Sequence, residues 1–177
     1  MNPCALVTGA SVGIGNAFAR ELARRGNDLV VVARNAEQLE SLAEQVRRDD
    51  GVACEVLAAD LTDPEQLARV EARLAEPTRP ITTLVNNAGF GSYGAFCDLD
   101  VDVEASMIEL NVVALVRLTH AALGPMVARG HGAVLNVSSL ASFQPSPRIA
   151  TYAATKAFVT SFTQRSEEHT SELQSQF

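Results

Sequence analysis

Tyr152 and Lys156 stand four residues apart in Tyr152–Ala153–Ala154–Thr155–Lys156, and Lys156 is the only lysine of the chain. On a helix, positions four apart share a face. A phenol ordinarily loses its proton only near pH 10, so alone it is a poor proton carrier at neutral pH. An ammonium beside it favours the phenolate. Such a tyrosine can give a proton to, or take one from, a carbonyl or alcohol oxygen. Ser138–Ser139 precede this run at the end of an apolar segment, and the Ser139 hydroxyl could hold the same oxygen. The spacing alone is shared with ordinary surface Tyr–Lys pairs. What favours the chemical reading is the company these residues keep.

Thr8–Gly9–Ala10–Ser11–Val12–Gly13–Ile14–Gly15 follows an apolar run and opens a helical pattern. Glycines at 9, 13 and 15 allow a tight turn and a close approach of a pyrophosphate to a helix N-terminus. No Lys–Ser/Thr pair ends the turn, so it is not a nucleotide-hydrolysing phosphate loop. A βα turn that binds nothing would look similar. At the end of the next apolar run stands Arg34, where an acid would select the ribose hydroxyls of NAD. An arginine suits the 2′-phosphate of NADP, and Ser11 could add a hydroxyl on that side. An ordinary solvated arginine is the plainer alternative.

Asp60–Leu61 follows the third apolar run. The carboxylate either accepts from an adenine amino group or caps the local turn, and the sequence does not separate these. Asn86–Asn87–Ala88–Gly89 closes the fourth run. Its amides can pin neighbouring backbone, and Gly89 lets a cofactor ribose pass closely. A polar turn is the alternative.

These residues need a scaffold, and the pattern supplies one. Apolar runs at Cys4–Thr8, Leu29–Ala33, Cys54–Ala58, Thr82–Asn86 and Ala133–Ser138 predict strands. Helical spacing predicts helices over Gly13–Arg25, Ala36–Arg48, the stretch from Pro64 to Leu74, residues 101–128 and Ile149–Phe162. Asp63 is a predicted N-cap with Pro64 at the first helical position. Leu29–Ala33 is apolar without alternation, as in a strand covered on both faces. Alternating strands and helices predict an α/β, doubly wound parallel sheet, whose ligands bind at the carboxyl ends of the strands. Every motif above falls at such an end.

The chain has 177 residues, of which 47% are hydrophobic, with a net charge of −7. That suits one domain. Without a basic block it has no nucleic-acid footprint. Its apolar runs are too short for a conventional membrane-spanning helix, and no signal peptide opens it. Cys4, Cys54 and Cys97 are widely spaced and read as free thiols of a reducing, cytoplasmic protein. A hydrolase would want Gly-x-Ser-x-Gly and a histidine partner, and His120, His131 and His169 accompany no such motif. No metal site is expected.

Together, TGASVGIG at 8–15, NNAG at 86–89, Asn111, Ser139 and YAATK at 152–156 resemble the classical short-chain dehydrogenases/reductases, in order, through residues 3–164. The resemblance implies a Rossmann-type sheet in three α/β/α layers. It implies hydride exchange between a nicotinamide and a carbonyl carbon, with NADP(H) preferred and NAD(H) as the alternative. Tyr152 would be the acid–base group. Lys156 would favour its phenolate and hold the nicotinamide ribose, and Ser139 would position the substrate oxygen. Asn111 would shape a helix and hold a water in the proton relay. Gly9, Gly13, Ile14 and Gly15 would form the pyrophosphate turn. Arg34 would select NADP, and Asp60, Leu61, Asn87, Ala88 and Gly89 would meet adenine and ribose. The partner would be a small-molecule carbonyl or alcohol, and the full-length protein a homodimer or homotetramer.

By the same resemblance the chain lacks its last strands and the segment that covers the substrate. A NAD(P)-binding domain at 1–164 would be incomplete, and the fragment poorly soluble and inactive. Residues 165–177, RSEEHTSELQSQF, carry no apolar period, and Arg165 to Ser175 look like a translated sequencing adapter. They are expected to be non-native or disordered. The competing reading is a non-catalytic dinucleotide-binding or structural module. Phe90, Gly91, Tyr93, Phe96, Phe143, Pro145 and Pro147 either line an apolar substrate pocket or simply pack.

Overall fold

The computed structural model describes residues 2–166. Five parallel strands form one sheet in the order β3-β2-β1-β4-β5. They are β1 Cys4–Thr8, β2 Asp28–Ala33, β3 Cys54–Ala58, β4 Thr83–Asn86 and β5 Ala133–Asn136. The helices are α1 Gly13–Arg24, α2 Ala36–Asp50, α3 Pro64–Ala75, α4 Val101–Ile108, α5 Leu115–Arg129 and α6 Ala150–Arg165. A π-helical turn, Glu109–Ala114, joins α4 to α5 without a break. The strand order reverses direction between β1 and β4, and there a crevice opens at the carboxyl ends.

Two apolar layers sandwich the sheet. Leu6, Val30, Val32 and Leu84 meet Val70 and Leu74 of α3 and Leu118, Ala122 and Met126 of α5. The alternate residues Ala5, Val7, Leu29, Val31 and Val85 meet Ala19 and Ala23 of α1 and Leu39, Leu42 and Val46 of α2. Both faces of the central strands are therefore covered, which explains their unbroken apolar runs. The residues of β5 are only half-buried, and among the described residues no further strand pairs with it.

Local signals placed several boundaries correctly. The Asp63 carboxylate accepts from Glu65 N at 2.9 Å and Gln66 N at 3.0 Å, with Pro64 opening the helix. Other boundaries moved. β5 ends at Asn136, two residues before its apolar pattern does, so Ser139 belongs to a turn. α6 runs on to Arg165, past the expected domain boundary at 164. The adapter-like residues from 167 onward lie outside the described residues.

Membrane exclusion on run length also needs amending. Val101–Arg129 is one helix of 29 residues, long and apolar enough by length and composition to cross a membrane. Its hydropathy is spread over the whole helix, not concentrated in a run. Its apolar stripe packs on the sheet and on α3.

The cysteines differ in exposure. Cys54 is buried and Cys97 exposed. Burial pushes the Cys54 thiol up to about 11, against the pull of Arg47. Because that proton is held more tightly when folded, stability from this group is present below the ordinary thiol range and falls as pH rises toward 11. Alkylation at mildly alkaline pH should label Cys97 first and leave Cys54 unlabelled until the chain unfolds. Peptide mass spectrometry of a time course checks this.

Candidate active site

A groove of about 660 Å3 runs across the carboxyl ends of the strands. At its outer end are Ser11, Arg34, Asp60 and Leu61, and at its inner end Tyr152 and Lys156. Gly9, Ile14, Asn87, Ala88 and Gly89 border it between. The residues singled out at four strand ends thus meet in one place.

The turn after β1 is built by close backbone packing. Gly9 has φ +65°, and a Cβ there would meet Asn87 Nδ2 at 2.8 Å and Ala88 Cα at 3.0 Å. Gly13 enters α1 with φ +59°. Gly15 does not border the groove. A side chain on it would run into the Gly9 carbonyl and the Asn87 amide. Its lack of a side chain therefore serves helix-to-strand packing. Asn87 closes the arrangement by donating to Thr8 O at 3.0 Å and Gly9 O at 3.3 Å. Thr8, which opens the motif, accepts from Asn87 N and Ala88 N, each at 3.0 Å, through its Oγ1. No side chain caps α1, whose N-cap is Val12, so its first N–H groups face the groove side without a side-chain acceptor.

Asp60 caps its own turn. Its Oδ1 accepts from Thr62 N at 2.9 Å and Thr62 Oγ1 at 2.7 Å. Its Oδ2 lies 4.0 Å from Arg34 Nη1, and the Arg34 side chain is 80% exposed. That pair is loose and screened.

At the inner end, Lys156 is 5% exposed. Burial lowers its pKa from the ordinary lysine value. Nζ donates to Val137 O at 2.7 Å and lies 6.0 Å from the centre of the Tyr152 ring. Tyr152 rests on Gly91, where a Cβ would stand 2.9 Å from the ring. Asn111, 1% exposed, sits in the π turn. Its Oδ1 accepts from Phe90 N at 3.1 Å, and its Nδ2 donates to Phe90 O at 2.9 Å and to Thr155 Oγ1 at 3.1 Å. Both amide protons and the oxygen are engaged. Shaping the loop and helix is the part of its expected role that this side chain performs.

Ser139 is displaced from its expected setting at a strand end. It caps a short turn, its Oγ accepting from Ala141 N at 3.2 Å. Its neighbour Ser138 borders the groove and is bound to Lys156 O and Thr160 Oγ1. Two further groups escaped sequence reading. Ser106 and Leu110 of the long helix help line the groove, and the buried carboxylate of Glu104 has no hydrogen-bond partner among the described residues. Of the loop residues left between pocket lining and packing, Phe90 and Gly91 border the groove. Thr155 lies inside the Tyr–Lys motif itself.

A second cavity, about 770 Å3, opens at the opposite ends of the strands. Its guanidinium groups are already committed. Arg73 binds Glu55 at 3.0 Å and Arg79 binds Glu55 at 3.1 Å. The groove at the carboxyl ends holds the loosely engaged Arg34 together with Tyr152 and Lys156.

The family model for short chain dehydrogenase matches residues 3–174. The very-long-chain 3-oxoacyl-CoA reductase of Anas platyrhynchos is 37% identical over 164 residues, covering 89% of this chain and 52% of that protein. The 17-beta-hydroxysteroid dehydrogenase type 3 of Homo sapiens is 33% identical over 171 residues, 95% of this chain and 54% of that one. A short-chain dehydrogenase from Sphingobium yanoikuyae, solved in complex with NADPH, superposes with TM-score 0.90 at 45% identity, covering 93% of this chain and 64% of that one. The chain thus spans about half the length of the curated relatives it matches.

Gly91→Ala should push the Tyr152 ring from its seat. The chain has two tyrosines and no tryptophan, so the near-ultraviolet circular dichroism reports Tyr93 and Tyr152. That signal should change while the far-ultraviolet spectrum stays as it is.

Proposed function

Since the chain belongs to the short-chain dehydrogenase family, we propose that the protein carrying it is an NADP(H)-dependent oxidoreductase interconverting a carbonyl and an alcohol. The observation that carries this reading is the Tyr152–Lys156 pair at the inner end of a groove whose outer end presents Arg34.

The groove fits a dinucleotide bearing an extra phosphate. The α1 N-terminus has no side-chain cap, and the turn before it is glycine-lined, which suits a pyrophosphate. Arg34 is exposed and only loosely held by Asp60, which leaves it for a 2′-phosphate. Once bound, the dinucleotide supplies hydride chemistry at its nicotinamide ring.

The chain's own residues handle the proton. Tyr152 gives it to the substrate oxygen in reduction and takes it back in oxidation. Lys156, fixed by the Val137 carbonyl, holds its amino group 6.0 Å from the centre of the Tyr152 ring. The Ser139 oxygen already accepts from Ala141 N, which leaves its own proton to donate to the substrate oxygen. Asn111 holds Phe90 and α6 in place behind them.

The substrate end supports lipophilic ketones. Tyr93, Phe96, Leu140 and Phe143 are large, apolar and exposed in the loops after β4 and β5. The 3-oxoacyl and steroid substrates named for two relatives are of this kind. Pairing of copies through the 101–129 helix and α6 belongs to the same reading, supported by exposed Ile108, Val127 and Phe158.

The test is NADPH oxidation with a panel of lipophilic ketones, alongside direct NADPH titration. Tyr152→Phe should lower kcat by about 100-fold or more and leave NADPH binding intact. Arg34→Glu should weaken NADPH about 10- to 100-fold, the scale of a charge-assisted bond, with much less effect on NADH. Saturable NADPH binding without any Tyr152-dependent turnover would overturn the catalytic reading in favour of a binding module.

A further inference from the structure

Tyr152 can work only if helix α6 is held at one rotation. A turn of α6 about its axis would lift the ring from Gly91 and swing Lys156 away from Val137 O. Several side chains tie α6 to the β5 side. Ser138 binds Lys156 O and Thr160, and Asn136 Nδ2 donates to Thr163 Oγ1 at 3.0 Å. Those contacts fasten the helix along one flank. They leave its other flank, toward the 101–129 helix, to be fixed separately.

On that flank there is a single side-chain hydrogen bond among the described residues. Thr155 Oγ1 accepts from Asn111 Nδ2 at 3.1 Å and donates to Tyr152 O at 2.8 Å. Thr155 is 3% exposed and touches neither edge of the groove. Its hydroxyl therefore uses its one proton on the carbonyl of Tyr152 and a lone pair on Asn111. The Asn111 amide is itself pinned at both atoms of the Phe90 backbone. Phe90 directly precedes Gly91, the seat of the Tyr152 ring. The path runs from Gly91 through Phe90, Asn111 and Thr155 back to Tyr152, and it is closed.

We propose that Thr155 is a positioning residue, locking α6 to the Asn111 amide so that Tyr152 is held against Gly91. The inference rests on the oxidoreductase reading for its kinetic consequence, but the lock itself is a property of the folded chain. Valine at this site keeps the shape and removes the hydroxyl. It leaves one buried Asn111 proton without an acceptor and frees the Tyr152 carbonyl. Serine restores both bonds.

The first readout needs no turnover. In selectively labelled protein, the Asn111 carboxamide protons should exchange at least about 100-fold more slowly than those of exposed Asn35. In Thr155→Val one of them should speed up and the Tyr152 ring resonances should shift, while Thr155→Ser matches the unsubstituted chain. The second readout is kinetic. In Thr155→Val, kcat should fall about 10-fold while KM for NADPH stays within about twofold, and Thr155→Ser should recover most of the loss.

Asn111 protons exchanging as fast as those of Asn35 would sink the proposal without any variant. So would serine behaving like valine, or a kcat in Thr155→Val equal to that of the unsubstituted protein. A failure of the oxidoreductase reading looks different. It would appear as absent NADPH turnover in the unsubstituted protein, with Asn111 protection and its dependence on Thr155 intact.

Discussion

One buried carboxamide organises the inner half of the groove. Asn111 carries two protons and an acceptor oxygen into a place without solvent, and each must find a partner or cost free energy. The partners come from two other parts of the chain, the backbone of Phe90 and the hydroxyl of Thr155. Satisfying this amide therefore fixes the loop after β4, the long helix and α6 relative to one another. The Tyr152 ring, the Lys156 ammonium and the glycine beneath them take their positions from that agreement.

The outer half is organised by exclusion. Gly9, Gly15 and Asn87 pack so tightly that the strand β1, the helix α1 and the end of β4 share one volume. The hydrogen bonds of Asn87 and Thr8 then stitch this contact, because close backbone with unpaired carbonyls would otherwise be unfavourable. What remains is a rigid floor with the start of α1 open above it. A glycine-rich turn of this kind depends on what the glycines permit the chain.

Much of this was readable before any coordinates. The five strands, their parallel direction and the gathering of motifs at the carboxyl ends follow from apolar runs alternating with helical periods. Asp63 and Pro64 announced a helix start because capping is local chemistry. The unreadable parts depend on tertiary contact. That Gly15 must also serve packing is decided by Asn87, far away in sequence. Asp60 caps a turn because Thr62 stands two residues on, yet the same pair could have faced a ligand. Ser139 left its expected strand because β5 stops at Asn136. Thr155 sits inside a motif that had been recognised, but its importance lies in a partner on another helix.

The π turn has a consequence for how this protein can change in length. Such a turn holds one residue more than the α turns that flank it. Removing one residue from 109–114 would let the helix close into regular α form, with α4 and α5 keeping their present faces toward their neighbours. The scaffold would accept the deletion, and the carboxamide hub alone would be lost. Insertions and deletions along the 101–129 helix should therefore be unequal in effect. Elsewhere they rotate one half of the helix out of the core. Here, a single lost codon would leave a well-packed fold in which Tyr152 and Lys156 no longer have a fixed address.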